Sequence, residues 1–134
     1  MLEVSRMFAF IPQYKSLREV LMDQKLAKLG DAYVNFLYSL ALSKKRREAT
    51  GTKVQGRLLA DAFKKAGLRE FLPSRIDRHK QADAAEALIV YAWIQGSMTM
   101  EEGLEILEQN EDALEAFRVL LLTAKERLKH ENED

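Results

Sequence analysis

Apolar positions recur at helical spacing along nearly the whole chain. Leu26 to Ser43 reads Leu-Ala-Lys-Leu-Gly-Asp-Ala-Tyr-Val-Asn-Phe-Leu-Tyr-Ser-Leu-Ala-Leu-Ser, apolar almost all round, the pattern of a central, buried helix. A second such rod runs from Gln81 to Ile94, with Gly96 placed to end it. Between the two, Thr52 stands as the cap of an amphipathic helix that buries Val54, Leu58, Leu59, Ala62 and Phe63. Gly67 occupies the position where such a helix closes. Leu68 to Arg78 reads as a connector anchored by Phe71 and Leu72, because Pro73 forbids a continuing helix. Ser16-Leu-Arg-Glu19 and Thr99-Met-Glu-Glu102 both have the spacing of a capping box. The first opens a helix that breaks near Asp23 and leads into the Leu26 rod; the second opens a short helix through Leu104 and Leu107. A last amphipathic helix spans Glu111 to about Lys129, with Leu114, Phe117, Leu121 and Leu128 on one face. Met1 to Tyr14, short, apolar and interrupted by Pro12, reads as a packing arm. Nothing alternates with period two for long enough to make a strand, so the expected fold class is all-α.

Two features break the apolar pattern. Asp31 sits inside the first rod, with Asn35 one turn later on the same face. Gly30 precedes it, in a place where glycine costs about 1 kcal/mol relative to alanine. Such a glycine predicts that another backbone passes close by, just where the carboxylate points. In the second rod, Asp83 and Glu86 are the only charges between Ala82 and Ile94, and they share a face. A charge among core residues is costly unless it is paired or binds a metal.

Composition adds bounds rather than direction. At 134 residues the chain is expected to form one domain, 1–134, large enough for a proper core. Its hydrophobic fraction of 47% and charged fraction of 31% are ordinary for a globular protein. No apolar run reaches the roughly 18 residues of a membrane span without a charge or glycine, and Met1-Leu-Glu-Val-Ser-Arg lacks the layout of a signal peptide. The chain has no cysteine, hence neither disulfides nor a thiolate metal site, and a cytoplasmic setting with no membrane partner is expected. The formal net charge of zero hides an asymmetry. Lys44 to Lys80 carries 12 Lys/Arg against 4 Asp/Glu, whereas Met100 to Asp134 carries 4 against 11. A basic middle of this kind points to a polyanionic partner.

Three carboxylates converging across a helix pair repel one another unless something positive lies between them. Hard oxygen donors on a rigid frame suit Mg²⁺ or Mn²⁺, and such a metal lowers the pKa of a bound water and steadies an in-line displacement at phosphorus. The structural alternative has Asp83 and Glu86 paired with Arg or Lys of the connector, and Asp31 capping a helix or paired with Lys28. His79, isolated in sequence, reads as a surface residue.

Leu26-Ala-Lys-Leu-Gly-Asp-Ala32 resembles the signature helix of the ribonuclease III catalytic domain, L-E-F-L-G-D-A, and Asp83-Ala-Ala-Glu-Ala-Leu-Ile89 resembles that family's second motif, D-x-x-E-A-L-I-G. Their order and separation fit, and the resemblance covers roughly Lys15 to Leu107. It implies an all-α endonuclease domain that cleaves double-stranded RNA as a homodimer with a divalent metal, Mg²⁺ or Mn²⁺. Asp31 matches the metal-binding aspartate of the first motif; Asp83 and Glu86 match the acids of the second, Glu86 being the ligand on which the family most depends. The sequence departs from the pattern at Ala27 and Gln24, where the family has acids, and at Val90, where it has glycine. A small residue at the position of Ala27 and the lack of a following double-stranded-RNA-binding domain are features of the compact bacterial subfamily. Asn35, one turn beyond Asp31, offers an amide oxygen where the acid is lost. RNA contacts are then expected from Lys44, Lys45, Arg46, Arg47, Lys53 and Arg57, with Lys64 and Lys65 as further candidates. Two other readings compete. One is a ribonuclease III-like RNA-binding protein with weak or no catalysis, because one acid is gone. The other, ranked below it, is an all-α nucleotide pyrophosphohydrolase, which needs a denser acidic set, such as E-E-x-x-E facing E-x-x-D, than the Glu101-Glu102 pair in its capping box offers.

Overall fold

The computed structural model describes residues 6–132. Met1 to Ser5, read above as no signal peptide, and the last two residues of the acidic tail lie outside them. Among the described residues the regular structure is entirely helical: α1 (Leu17–Leu21), α2 (Gln24–Arg46), α3 (Gly56–Lys65), α4 (Arg78–Ile94), α5 (Met100–Gln109) and α6 (Ala113–Asn132), with one-turn 3₁₀ helices at Arg6–Phe8 and Arg69–Phe71.

The helix starts follow local chemistry. Ser16 caps α1 by accepting from the Glu19 amide, while Glu19 reaches back one residue beyond the box to the Lys15 amide. Asp23 caps α2 by accepting from the amides of Lys25 and Leu26, and Thr99 and Glu102 complete a reciprocal box at α5. Asp77 caps α4, which therefore begins three residues before the rod that periodicity marks. Thr52 is not a cap. Helix α3 starts at Gly56 behind Gln55, whose side chain makes no capping bond, because residues 50–54 are committed elsewhere, to side chains of α2.

The centre of the molecule is α4. Every residue from Ala84 to Val90 is buried, and α2, α3 and α6 pack around it. Helix α2, expected to be the buried rod, is only half-buried. Leu26, Ala27, Gly30, Val34, Leu37 and Ala41 face inward, but Leu29 is 38% and Phe36 54% exposed on the other side. Its apolar circumference therefore serves two faces, one of which has no cover among the described residues. The main core joins α2, α3, α4, α5 and α6 around Phe63, Leu88 and Phe117. A smaller cluster of Val20, Leu26, Ala27, Ala87, Val90 and Ile94 receives the N-terminal arm. There Phe8 meets Trp93 edge-on at 5.2 Å, and Tyr14 meets Tyr91 at 5.2 Å. The Tyr14 hydroxyl also donates to the capping carboxylate of Asp23 at 2.6 Å, so the arm is tied to the start of α2.

Helices α2 and α4 come into backbone contact at Gly30. A Cβ placed there would lie 2.2 Å from the backbone carbonyl oxygen of Glu86. No side chain fits, and the neighbour in the way is helix backbone that cannot step aside. Gly30→Ala is accordingly expected to push α2 off α4 and destabilise the fold by about 3 kcal/mol or more. Gly51, with nothing within 4 Å of its notional Cβ, is the control: Gly51→Ala should be neutral or up to about 1 kcal/mol stabilising. Urea unfolding of the two variants beside the parent checks both; equal stabilities would refute the crossing.

Candidate functional site

The crossing at Gly30 decides where the acids go. Asp31 follows the glycine on α2, and Glu86 is the residue whose carbonyl fills the space the glycine leaves on α4. Asp83 lies one turn earlier on α4, its side chain 17% exposed. All three line one cavity of about 590 Å³, together with Gln24, Ala27 and Lys28 from α2, Lys53, Val54 and Gln55 from the segment before α3, and His79 from the first turn of α4. Thus Asp31, Asp83 and Glu86 are brought together as the sequence predicts.

Their electrostatics are unbalanced. Glu86 is only 7% exposed, and its pKa is pushed up to about 9. Burial is the largest cause, followed by a hydrogen bond with the Asp31 carboxyl and then by the charges of Asp31 and Asp83; the Lys53 ammonium pulls the other way. At neutral pH Glu86 therefore holds a proton. Among the described residues no Lys or Arg forms an ion pair with any of the three acids. Arg78, the connector cation nearest in sequence, turns to Asp61 at 3.9 Å instead. The structural alternative of a connector ion pair is thus not what the fold builds. The partner that Asp83 does have is His79, whose Nε2 is 3.7 Å away, four residues earlier on the same helix.

Asn35 has a different task from the one the sequence suggests. Its Oδ1 accepts from the Val54 amide at 2.8 Å, which forces its Nδ2 toward Asp31 Oδ1, 3.1 Å away. The amide oxygen is already engaged, so Asn35 stands behind Asp31 as a prop rather than beside it as a metal ligand. It is also the first of three rungs. Ser39 exchanges hydrogen bonds with the backbone of Thr52, and Ser43 with that of Thr50. Positions 35, 39 and 43 of the helix rise about 6 Å apart, nearly the spacing of alternate residues in extended chain, about 6.6 Å. The match lets residues 50, 52 and 54 lie along α2 as a pinned strap.

The basic residues divide. Lys53 projects from the strap and lines the cavity; Arg57 is exposed on the first turn of α3. Lys44, Lys45 and Arg46 close α2, and Arg47 ends it in a left-handed conformation at φ 56°. They lie some 20 Å along the helix from Asp31, and Lys44 pairs with Glu108 of α5 at 2.7 Å. Glu102 is consumed by its capping box and by Arg127 at 2.5 Å, so Glu101-Glu102 is not a second acid pair facing the cavity. His79 is the surface residue the sequence predicts, its side chain 85% exposed; what the sequence did not show is its approach to Asp83. Its spacing of four from Asp83 was the available signal, hidden because the helix was expected to begin at Gln81 rather than Arg78.

The chemistry of the donors fits a hard divalent cation: three carboxylates, none of them in an ion pair with Lys or Arg among the described residues, one of them buried and ionised only at a cost. They do not form a closed cage as they stand, since no group of three or more His, Asp or Glu side chains among the described residues already has metal-holding geometry. A family model described as Ribonuclease III matches residues 24–125. The matched span starts with α2, contains all three acids and runs through α5 into α6, further than the motifs alone reach. No curated protein matches the chain.

The raised pKa of Glu86 has a direct consequence for stability. Below pH 4.5, its ordinary value, the residue is protonated in both folded and unfolded chains. Between pH 4.5 and about 9 the unfolded chain ionises and the folded one does not, so the stability held at low pH is lost progressively as pH rises through that window. The loss is on the order of a few kcal/mol. In metal-free buffer Glu86→Gln should flatten this decline and be at least as stable as the parent at pH 8. Unfolding curves at pH 5 and pH 8 measure it. A variant less stable than the parent at pH 8 would show that Glu86 is stabilised as an anion instead.

Proposed function

The chain belongs to the ribonuclease III family, and on that basis we propose that it is a divalent-metal-dependent endoribonuclease acting on double-stranded or structured RNA. The observation that carries the reading is the convergence of Asp31, Asp83 and Glu86 in one cavity without an ion pair to Lys or Arg among the described residues. These residues would hold Mg²⁺ or Mn²⁺. Bound there, the metal would supply an ionised water at neutral pH and charge stabilisation for an in-line displacement at phosphorus. The chain's own contribution is positional. Asn35 fixes the Asp31 carboxylate, and the Gly30 crossing fixes Glu86 against it. Glu86 must give up its proton to become a ligand, so metal affinity should rise with pH. The basic residues Lys44 to Arg47, Lys53 and Arg57 are assigned to phosphates of A-form RNA, which is read mainly by shape and backbone. A cytoplasmic setting accords with a chain that has no cysteine.

A second reading, an RNA-binding protein of the same family with weak or no catalysis, is favoured by one observation. Ala27, 4% exposed, lines the cavity where the family pattern has an acid. Cleavage separates the two. Purified protein with long duplex RNA and Mg²⁺ should cut, and Asp31→Asn should lose about 10²-fold or more of the rate. Binding without cleavage by the parent would favour the second reading.

We also assign a symmetric homodimer. The exposed apolar side chains of α2, Leu29 and Phe36, flank Tyr33, which stacks on Trp93 at 4.8 Å; Trp93 in turn meets Phe8 and, through it, Phe10, 64% exposed. A continuous apolar face of this kind on a self-complementary helix suits an isologous contact. Light scattering at micromolar concentration should give twice the chain mass, and a monomer mass would count against it. If Lys44 to Arg47 contact phosphates, neutralising them should weaken duplex binding uniformly across sequences and make its salt dependence shallower. An unchanged slope would leave them as a solvated helix end.

A further inference from the structure

Within the cavity the positive charge that acts on Glu86 comes from Lys53, and the fold spends five hydrogen bonds fixing the segment that carries it. The two residues that flank Lys53 are both held by α2: Thr52 by Ser39 through its amide (2.9 Å) and carbonyl (3.0 Å), and Val54 by Asn35 through its amide (2.8 Å). Asn35 also holds Asp31. The lysine backbone and the first acid of the site are thereby registered to one another through a single side chain. Lys53 itself is exposed and belongs to no ion pair among the described residues.

Charge arithmetic gives this placement a purpose. Three ionised carboxylates outweigh one divalent cation by a single negative charge, and a phosphodiester entering the cavity brings another. A site so composed repels its own substrate unless a cation of the cavity wall offsets it. Lys28 and Lys53 line that wall, and of the two it is Lys53 whose charge acts on Glu86 and whose backbone is pinned in register with Asp31. We propose that Lys53 holds the scissile phosphodiester against the acid pocket, its ammonium donating to a non-bridging oxygen, with the Asn35–Ser39–Ser43 ladder fixing it in register with Asp31. The proposal rests on the endoribonuclease reading and deepens it: the lysine supplies a fixed positive charge in a site where Ala27 and Gln24 stand in place of acids of the family pattern. Charge on the non-bridging oxygens grows as the attacking oxygen arrives, so a fixed ammonium there acts more strongly on the transition state than on bound RNA.

The test uses the full chain with Mg²⁺ and a duplex RNA, comparing the parent with Lys53→Gln and Lys53→Arg. Lys53→Gln should lower kcat by about 10²-fold at saturating RNA, with a smaller change in KM, and Lys53→Arg should recover part of the loss. Without metal, Lys53→Gln should bind the duplex with a salt slope shallower by about one unit, the signature of one lost phosphate contact. Melting temperatures should match, because the side chain is exposed. A rise in KM with kcat unchanged, or an unchanged salt slope, would overturn the assignment and leave Lys53 an outer anchor or a mere counter-charge for Glu86. A parent that cleaves no duplex with any divalent metal would overturn the endoribonuclease reading as well; a cleaving parent with an unaffected Lys53→Gln overturns this inference alone.

Discussion

Contact of α2 backbone with α4 backbone at Gly30 is the constraint on which the remaining features depend. A helix pair normally stands 8–10 Å apart, held off by its side chains. Here one position has none, and the Glu86 carbonyl occupies the vacated space. The cost in helix propensity is small; what it secures is that two carboxylates on successive sides of the crossing, Asp31 and Glu86, share a hydrogen bond. The acids are then burdened rather than relieved by their surroundings, because burial and like charge act in the same direction on Glu86. A fold optimised for stability alone would have placed a cation or an apolar residue there.

Around that crossing the molecule divides α2 into three uses. Its inner face packs on α4, its polar edge of Asn35, Ser39 and Ser43 pins the strap that carries Lys53, and its outer face of Leu29 and Phe36 is left exposed by the described residues. One helix thus positions an acid, a basic strap and an apolar patch in a fixed relation. Any function that needs two copies of the acid site at a defined separation, as cleavage of both strands of a duplex does, would find that separation set by the same rod. The strap is an economical device for this, since its hydrogen bonds satisfy backbone groups that an exposed segment would leave to water.

Much of this was legible in the sequence, and the failures share a cause. The all-α class, the capping box at Thr99, the break at Asp23 and the meaning of Gly30 beside Asp31 all follow from local rules that tertiary context does not overturn. The burial of α2 was misjudged because an apolar circumference does not say whether the cover comes from the same chain. Thr52 looked like a cap because its partner, Ser39, lies thirteen residues away. Asn35 looked like a ligand for the same reason: its oxygen answers to Val54, nineteen residues on. In each case the outcome turns on groups distant in sequence or outside the described residues, an outer cover for α2, the Ser39 hydroxyl for the Thr52 backbone and the Val54 amide for Asn35, and no periodicity records that.

The central claim is that Asp31, Asp83 and Glu86 form a site whose charge imbalance is resolved by a divalent cation at the expense of the proton on Glu86. Calorimetric titration of the metal-free protein with Mn²⁺ at pH 7, repeated in buffers of different ionisation enthalpy, tests it most directly. The account predicts saturable binding with release of about one proton per chain, and loss of that release in Glu86→Gln. Absence of saturable binding in the parent, or binding with no proton released, would contradict it.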